Sequence, residues 1–238
     1  HLNIEGDLFK KADQDNVLIQ YYDQETDSLQ NYLQDFGEFF CGAIDLTSET
    51  GRNWYINNII NPALDLGIRG YMADFGEYLQ IDENLRTSSG EKLTSLHNKY
   101  PAYWAQTNHE AVQMRCRSEE DPLCDEDLFL FYRAGHTNSN KYVQTTWAGD
   151  QNVDWSRSDG FPSVIPAALS LGMSGMSTTH IDIGLYTTMV NQTYDSVNFD
   201  VIRCKELLLR TAEYAVFTPV MRTHESNRPD SNWQVYTD

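Results

Sequence analysis

Six short apolar runs recur along the chain, and each is followed by a polar residue and then by a longer stretch of helical character. Because the runs are short and are bounded by Gly, Pro, Asp or Ser, the pattern predicts buried strands. The predicted strands cover residues 39–46, 68–75, 128–133, 142–150, 176–183 and 216–225. Residues 1–35 are polar, rich in Gln and Asp, and predict only a short strand at 17–22.

Four stretches between these runs have the apolar spacing of helices. They cover residues 48–66, 93–116, 163–173 and 201–217. Ser48 is suited to cap the first of them, and Trp54 and Trp104 are predicted to pack from the first two. Stretch 163–173 is almost wholly apolar, so we expect it to be buried, with Pro166 in its first turn, where proline is tolerated.

Alternation of strands and helices favours parallel strands joined by crossover helices, as in an open doubly wound sheet or a (β/α)8 barrel. No glycine-rich phosphate loop follows the first strand, which disfavours a dinucleotide-binding open sheet. A closed barrel needs eight strands, and six are clear here. We therefore expect an α/β fold and, for the barrel alternative, opening strands that are missing from this chain.

The net charge narrows the classes of partner. Lys and Arg number 17 and Asp and Glu number 35, which gives a net charge of −18. Nucleic acids and anionic membranes require a basic surface, so neither is an expected partner. No apolar run approaches the ~20 residues that span a bilayer. The sequence from His1 has no signal pattern, which indicates a mature product or an internal piece.

The cysteines leave the cellular compartment open. No pair among Cys41, Cys116, Cys124 and Cys204 has the Cys-x-x-Cys spacing, so a zinc site is disfavoured. A disulfide between Cys116 and Cys124 would close a short acidic loop, and free buried thiols fit equally well. Asn191 begins an Asn-x-Thr sequon, which matters only in a secretory compartment.

Every predicted strand ends at a charged or titratable side chain. The chemistry of barrel enzymes lies at the carboxyl ends of the strands, so these side chains form the candidate site. They are Asp45, then Asp74 with Glu77, Arg133, Asp150, Asp182, and finally Arg222 with His224.

Two of these carboxylates have the positions that glycoside hydrolysis requires. Asp74 and Asp150 follow well-separated strands, and a carboxylic acid with a carboxylate base or nucleophile is the minimum for cutting a glycosidic bond. Trp147 is placed to wall a sugar site, as is Trp155. A single Asp at a strand end is more often a helix cap or an ion-pair partner, so the hypothesis depends on the pair.

Other chemistries fit less well. His180, Asp182 and His224 offer metal-ligating atoms, but no His-Glu-x-x-His or similar spaced cluster is present, so we expect no metal. No Gly-x-Ser-x-Gly turn is present, and no Cys has a His near it in sequence, which disfavours a Ser or Cys nucleophile.

Seven segments together resemble glycoside hydrolase family 31, and specifically its sulfoquinovosidase branch. The similarity runs in order from about residue 36 to residue 233. The longest matching runs surround Asp74 and Asp150. The matching segments are residues 70–78 (GYMADFGEY), 132–135 (YRAG), 147–156 (WAGDQNVDWS), 166–171 (PAALSL), 182–184 (DIG), 205–210 (KELLLR) and 221–229 (MRTHESNRP).

The resemblance implies a partial (β/α)8 TIM barrel covering roughly strands 3 to 8, with residues 1–238 forming one partial catalytic domain. It also implies a retaining α-glycosidase with a small-molecule glycoside substrate and no cofactor. Asp74 matches the family nucleophile and Asp150 the acid/base, whose carboxyl groups lie about 5–5.5 Å apart in retaining enzymes. Glu77 lies behind Asp74 and is expected to support it. Arg133 and His224 match residues that hold the ring hydroxyls, and Tyr186 matches a tyrosine near the sulfonate of the branch's substrate. From their strand-end positions, Trp147, Asp45 and Asp182 are also expected to contact the sugar.

Departures from the family pattern qualify this expectation. The branch's sulfonate-binding Arg and Trp, the N-terminal β-sandwich and the C-terminal β domains lie outside the matched region. Leu185 replaces a family Gly and is expected to narrow the pocket mouth, and an extra stretch at 190–200 enlarges a loop. A net charge of −18 would repel an anionic sugar unless local cations offset it.

Alternative functions follow from these departures. The chain is compatible with an α-glucosidase-like enzyme acting on a neutral sugar, and with a carbohydrate-binding relative that has lost turnover. The isolated 238 residues are expected to have weak or no activity, since an open barrel leaves edges uncovered. A homo-oligomer is left open. The compartment is cytoplasmic if the protein is like bacterial relatives, and secreted or lysosomal if Cys116 and Cys124 are bridged.

Overall fold

The computed structural model describes residues 1–37, 39–119 and 128–237, and for residues 118 and 119 it describes the backbone alone. The chain divides into two compact units. The first unit comprises residues 1–130 and 134–142, and the second comprises residues 131–133 and 143–238.

The first unit contains two three-stranded antiparallel sheets. One has the order β1-β5-β4, with β1 at Leu2–Asn3, β4 at Leu33–Asp35 and β5 at Phe40–Gly42. The other has the order β3-β2-β7, with β2 at Gln20–Asp23, β3 at Ser28–Asn31 and β7 at Leu85–Arg86. Strand β6 covers Gly70–Ala73, and it lies beside the start of β8, Phe129–Tyr132, where the Phe129 N–H donates to the Arg69 carbonyl at 2.9 Å.

The helices of the first unit confirm two predicted stretches. The first stretch forms one continuous helical segment, made of α2 (Glu49–Tyr55), a π-helical turn (Ile56–Ile60) and α3 (Asn61–Asp65). Ser48 caps it, its Oγ accepting from the Gly51 N–H at 2.9 Å. The second stretch is α4, Leu93–Glu119. Helix α1 covers Asp7–Gln14, and a 3₁₀ turn covers Ser139–Lys141.

A large apolar core cluster joins several elements of the first unit. It includes Ile19, Ile44, Leu85 and Leu96, all nearly or wholly buried. Trp54 packs within it as predicted, and Trp104 packs against it while half-buried.

The second unit carries the parallel pairing. The end of β8 pairs with β9 (Thr145–Trp147), and β9 pairs with β10 (Thr179–His180). A separate parallel pair joins β11 (Asp182–Ile183) and β14 (Arg222–Thr223). An antiparallel hairpin, β12 (Met189–Tyr194) and β13 (Val197–Val201), follows β11. The remaining elements are α5 (Phe161–Met173), α6 (Lys205–Ala215) and a 3₁₀ turn at Pro229–Ser231.

The parallel strands are shorter than predicted. The stretch 142–150 contains only Thr145–Trp147, 176–183 divides into β10 and β11, and 216–225 contains only Arg222–Thr223. Gly149 (φ +88°) and Gly184 (φ +95°) explain two of these ends, because their left-handed backbone turns the chain out of the pairing direction. The predicted strand at 39–46 was wrong in direction, since β5 pairs antiparallel with both neighbours.

Residues 1–35 contain more structure than the single predicted strand. Helix α1 and strands β1 to β4 all lie here, because short strands need few apolar residues when only alternate side chains reach the core. The extra stretch at 190–200 is also ordered, since it forms most of the β12–β13 hairpin.

Helix α5 corrects two expectations. It begins at Phe161, with Pro162 in the first turn, so Pro166 lies inside the helix and not in its first turn. Val164 is the one buried residue of the helix, whereas Leu169 and Met173 are 69% and 91% exposed. The prediction of a buried helix was wrong, because no described element covers its outer face.

The described strands group into short sheets, none of which closes on itself. Parallel strands alternating with helices in the second unit agree with the predicted α/β class and with a partial barrel. No helix in the described ranges is both long and apolar enough to cross a membrane.

Candidate active site

Asp74 lies immediately after β6, in a turn with unusual backbone geometry that we call the Asp74 turn (residues 74–76). Phe75 has φ +61° and Gly76 has φ +106°, so two successive residues are left-handed. The Phe75 N–H donates to the Asp74 Oδ1 at 2.8 Å, which fixes the orientation of the carboxylate. A side chain at residue 76 would put its Cβ 2.8 Å from the Trp104 ring, so only glycine fits there.

Asp74 opens into a small cavity whose walls are aromatic and apolar. Leu46, Tyr55, Tyr100 and Trp104 line it. Burial raises the pKa of both Tyr55 and Tyr100, so these tyrosines stay protonated and neutral at physiological pH. The Tyr100 hydroxyl donates to the Ile44 carbonyl at 2.5 Å. His1 also lines the cavity, and the two neutral tyrosines form part of its wall beside Asp74.

Asp45 and Glu77 lie in the same unit as Asp74. Asp45 is 4% exposed, and both of its carboxylate oxygens accept hydrogen bonds. Oδ1 accepts from the Thr47 N–H at 3.0 Å, and Oδ2 accepts from the Ser88 N–H at 2.6 Å. These bonds give Asp45 a clear role in holding its turn. Glu77 is half-buried and closely follows the Asp74 turn. The substrate-binding role of Asp45 and the supporting role of Glu77 remain predictions.

Asp150 lies in the second unit, in the turn after β9 that we call the Asp150 turn (residues 149–151). Its Oδ2 accepts from Arg133 Nη1 at 2.7 Å, and the Arg133 side chain is 8% exposed against 40% for Asp150. The backbone carbonyl of Asp150 accepts from Thr187 Oγ1 at 2.7 Å. Two of the predicted site residues, Arg133 and Asp150, are thus in direct contact.

Trp147, Asp182 and His180 lie together around the Arg222 guanidinium. Arg222 Nη2 donates to Asp182 Oδ1, and the guanidinium carbon lies 5.9 Å from the Trp147 ring centre. Phe131 lies 5.2 Å from the same guanidinium and contacts His180 edge-on at 4.8 Å. Burial and the Arg222 charge lower the pKa of His180 to about 4, so His180 is neutral at physiological pH.

His224 and Tyr186 are neighbours at the end of the second unit's short parallel pair. Their rings meet edge-to-face with centres 5.0 Å apart. His224 Nδ1 accepts from the Ser226 N–H at 2.9 Å, which places the ring proton on Nε2. Burial, with the charges of Arg222 and Arg203, lowers the pKa of His224. A neutral His224 can therefore donate from Nε2 to a sugar hydroxyl.

Arg203 is a buried residue that sequence reasoning missed. It is 1% exposed and donates from Nε to the Trp233 carbonyl and from Nη1 to the His224 carbonyl, both at 2.7 Å. Nη2 donates to Gln234 Oε1 at 2.8 Å. Arg203 thereby holds the backbone of His224 in place. The one sequence signal is a lone Arg in an apolar stretch before α6, which a solvent-exposed residue would equally produce.

The position of Leu185 corrects an expectation about the pocket mouth. Leu185 is wholly buried and packs with Val153, Val164, Ile181 and Leu207. It therefore fills the core of the second unit, and the prediction that it narrows the mouth was wrong. Its φ of +61° explains why a glycine is favoured at this position in the family.

The described residues also bear on the metal and cysteine interpretations. No group of three His, Cys, Asp or Glu side chains within the described ranges could hold one metal ion. Cys41 is a buried free thiol and Cys204 an exposed one. A bridge between Cys116 and Cys124 lies outside the described residues, because residue 124 does.

Comparisons with known proteins identify the family. Residues 2–237 match the family described as "Glycosyl hydrolases family 31 TIM-barrel domain". The chain is 48% identical over 208 residues to a sulfoquinovosidase of Escherichia coli, covering 87% of this chain and 28% of that protein. It is 40% identical over 239 residues to a sulfoquinovosidase of Agrobacterium fabrum, covering 100% of this chain and 32% of that protein.

A solved structure gives the same result. The chain superposes with TM-score 0.86 and 44% identity on a family 31 sulfoquinovosidase from E. rectale in complex with the aza-sugar inhibitor IFGSQ, covering 100% of this chain and 32% of that one. The chain therefore spans about a third of the length of the relatives it matches. It belongs to glycosyl hydrolase family 31, and its fold is that family's TIM-barrel domain, present in part.

Proposed function

We propose that the protein carrying this chain is a retaining α-glycosidase that hydrolyses α-sulfoquinovosides by double displacement. One observation carries the proposal. The chain is a family 31 barrel domain, and two of its carboxylates, Asp74 and Asp150, each lie in a turn that follows a strand. Such positions are where barrel enzymes bind and convert their substrates.

Asp74 is the proposed nucleophile. One of its carboxylate oxygens forms a bond to the anomeric carbon while the bond from that carbon to the departing oxygen breaks. The Phe75 N–H on Oδ1 keeps the carboxylate in one orientation before the reaction.

Asp150 is the proposed acid and base. In the first step its carboxyl proton passes to the departing oxygen, so that the alcohol leaves neutral. In the second step the Asp150 carboxylate takes a proton from water as the water oxygen attacks the anomeric carbon and releases Asp74. Arg133 contacts Asp150 Oδ2 and fixes the carboxylate. The Asp150 side chain is 40% exposed, so it can meet both the departing alcohol and the incoming water.

The remaining side chains are proposed to bind the sugar. His224 would donate from Nε2 to a ring hydroxyl, and Tyr186, which packs against it, would lie near the sulfonate. Trp147, Asp182 and Asp45 complete the proposed set. The sulfoquinovoside specificity is supported by the similarity to two sulfoquinovosidases, at 48% and 40% identity. Residues 1–238 are proposed to act as one partial catalytic domain, with a small-molecule glycoside as the partner.

The experiment compares two substrates with the protein that carries this domain. We expect hydrolysis of an aryl α-sulfoquinovoside with kcat/KM at least about 100-fold above that of the matching aryl α-glucoside. The first-formed sugar, followed by NMR, should have the α configuration. Tyr186→Phe should raise KM for the sulfonated substrate and leave the glucoside unchanged.

Each other outcome has a distinct meaning. Preference for the glucoside would support an enzyme acting on a neutral sugar. Binding of both sugars without turnover would support a non-catalytic carbohydrate-binding relative. A β-configured first product would contradict the double-displacement mechanism, because a single inversion then occurs.

A further inference from the structure

Phe75 has a backbone conformation that its residue type disfavours. Its φ of +61° lies in the left-handed region, where a side chain larger than that of glycine or asparagine is uncommon. Such conformations persist only where the surrounding structure holds them, and they concentrate at functional sites. Here the strained residue directly follows Asp74 and donates its N–H to the Asp74 carboxylate at 2.8 Å. A change of φ alone does not move this N–H, which belongs to the peptide joining Asp74 to Phe75. Because Trp104 holds the chain on both sides, at Ala73 and Gly76, relaxation of φ requires a compensating rotation of ψ at Asp74, and that rotation turns the N–H away from the carboxylate.

An aromatic cluster surrounds the Phe75 ring. We define this cluster as Phe36, Phe39, Phe75 and Tyr78. The Phe36 ring lies 5.7 Å from that of Phe75 and 5.7 Å from that of Tyr78, and the rings of Phe75 and Tyr78 are 5.6 Å apart. Three rings therefore contact one another pairwise, in the tilted and edge-to-face arrangements that aromatic groups prefer. Phe39 stacks on the outer side of Phe36 at 5.6 Å.

Phe36 reaches Phe75 from a separate part of the sequence. It lies in the turn between β4 and β5, where its N–H donates to the Phe39 carbonyl at 3.0 Å. Gln34, on β4 and 5% exposed, donates from Nε2 to the Tyr78 carbonyl. The β4–β5 turn is thus attached to the segment after Asp74 both by rings and by a buried hydrogen bond.

Trp104 holds the other side of the same turn. Its Nε1 donates to the Ala73 carbonyl at 3.3 Å, directly before Asp74, and its ring fills the space beside Gly76. Residues 73 and 76 are therefore fixed from α4, and the Phe75 ring is fixed from the β4–β5 turn. The ring contacts of Phe36 and Tyr78 act on the strained residue itself, as does that of His1, whose ring meets the Phe75 ring edge-on at 5.4 Å.

We propose that Phe36 and Tyr78 are positioning residues for the nucleophile: by holding the Phe75 ring they keep Phe75 left-handed, and so keep its N–H on the Asp74 carboxylate. This inference rests on the proposed role of Asp74. It assigns to the aromatic cluster a part in catalysis without contact with the substrate. Small displacements of a nucleophile are costly, because the reacting atoms must be aligned.

The test is a double-mutant cycle between residues 36 and 75. Phe36→Ala should lower kcat by about 10- to 100-fold with little change in KM, because the carboxylate is misplaced while the sugar contacts remain. In the Phe75→Gly variant, residue 75 can adopt the left-handed conformation without ring contacts to hold it there. In the Phe75→Gly background, Phe36→Ala should therefore lower kcat by less than about 2-fold. An equal loss in both backgrounds would overturn the proposal.

Phe40→Ala is the matched control. Phe40 lies on the same hairpin and is 45% exposed, but it is not a member of the cluster. We expect its kcat to stay within about 2-fold of the starting protein. If Phe36→Ala fails to fold, Phe36→Leu keeps apolar volume while losing the ring, and should show the same ordering with a smaller loss.

A second readout separates this inference from the proposed function. Hydrogen exchange of the Phe75 amide should be protected in the starting protein and in Phe40→Ala, and should accelerate at least about 10-fold in Phe36→Ala. This measurement needs no turnover. Absence of hydrolysis in the starting protein would reject the proposed function. The exchange result would still test whether Phe36 holds Phe75 in its left-handed conformation. Unchanged exchange in Phe36→Ala would overturn the inference in an active enzyme.

Discussion

The Asp74 turn and the Asp150 turn place a carboxylate after a strand by different physical means. At the Asp74 turn the N–H of the next residue binds the carboxylate, and neutral tyrosines form part of the wall of the cavity beside it. At the Asp150 turn a nearly buried guanidinium binds the carboxylate, and a threonine hydroxyl binds its backbone carbonyl. One carboxylate is held by backbone geometry and packing, and the other by an ion pair.

This difference agrees with the two proposed roles. The proposed nucleophile must attack the anomeric carbon as an anion. The Phe75 N–H orients the Asp74 carboxylate without itself carrying a charge. An acid/base must gain and lose a proton in every cycle, and it must also meet bulk water. Asp150, 40% exposed and paired to Arg133, is placed for that exchange.

The largest expected effect breaks the comparison directly. Asp74→Asn removes the bond-forming oxygen, so kcat should fall by at least about 10⁴-fold for every substrate. Asp150→Asn removes the proton donor of the first step and the base of the second, so kcat should fall by about 10²- to 10⁴-fold. The loss in kcat/KM, which reports the first step, should be smaller for aryl glycosides, whose leaving groups need no proton. Steady-state rates on aryl and alkyl glycosides check both. Asp7→Asn, an exposed partner of Lys10, is the control; equal losses for the two variants on both substrates would contradict the assignment.

Sequence patterns predicted the candidate site residues better than the residues that hold them in position. Asp74, Arg133, Asp150, Asp182 and His224 all follow short apolar runs, and a run ending in a polar residue is a local signal. The contacts Arg133–Asp150 and Asp182–Arg222 then arise because neighbouring strands bring distant residues together. No local pattern contains that information.

The supports could not be predicted because their signals are ambiguous in sequence. Phe36 lies in a polar segment, and nothing adjacent indicates that it contacts Phe75. Arg203 is a single charged residue in an apolar stretch, which equally suits an exposed position. The first 35 residues were underestimated because their strands are short and half-exposed, so apolar periodicity is weak there.

The next effect tests whether the second unit depends on buried charge. Arg203→Met should lower the free energy of unfolding by roughly 3 kcal/mol or more, because the Trp233 and His224 carbonyls and Gln234 lose a buried donor. Arg52→Met is the matched change in the first unit, where Arg52 donates to the Leu46 carbonyl at 3.1 Å and its side chain is 16% exposed. Chemical denaturation of both variants measures the difference. A larger loss for Arg52→Met would mean that buried charge matters more in the first unit.

The smallest effect sharpens the comparison through pH. His180 is wholly buried beside Arg222, and its pKa is lowered from 6.5 to about 4. Below pH ~6.5 the unfolded chain gains a proton that the folded protein refuses, so stability should fall by up to about 3 kcal/mol as pH drops toward 4. His180→Gln should flatten this dependence, while the change at exposed His136, His136→Gln, should not. Unfolding curves between pH 7 and pH 4 check the slope. If His180→Gln retains the full pH dependence of stability, the acid sensitivity comes from the carboxylates and not from His180 beside Arg222.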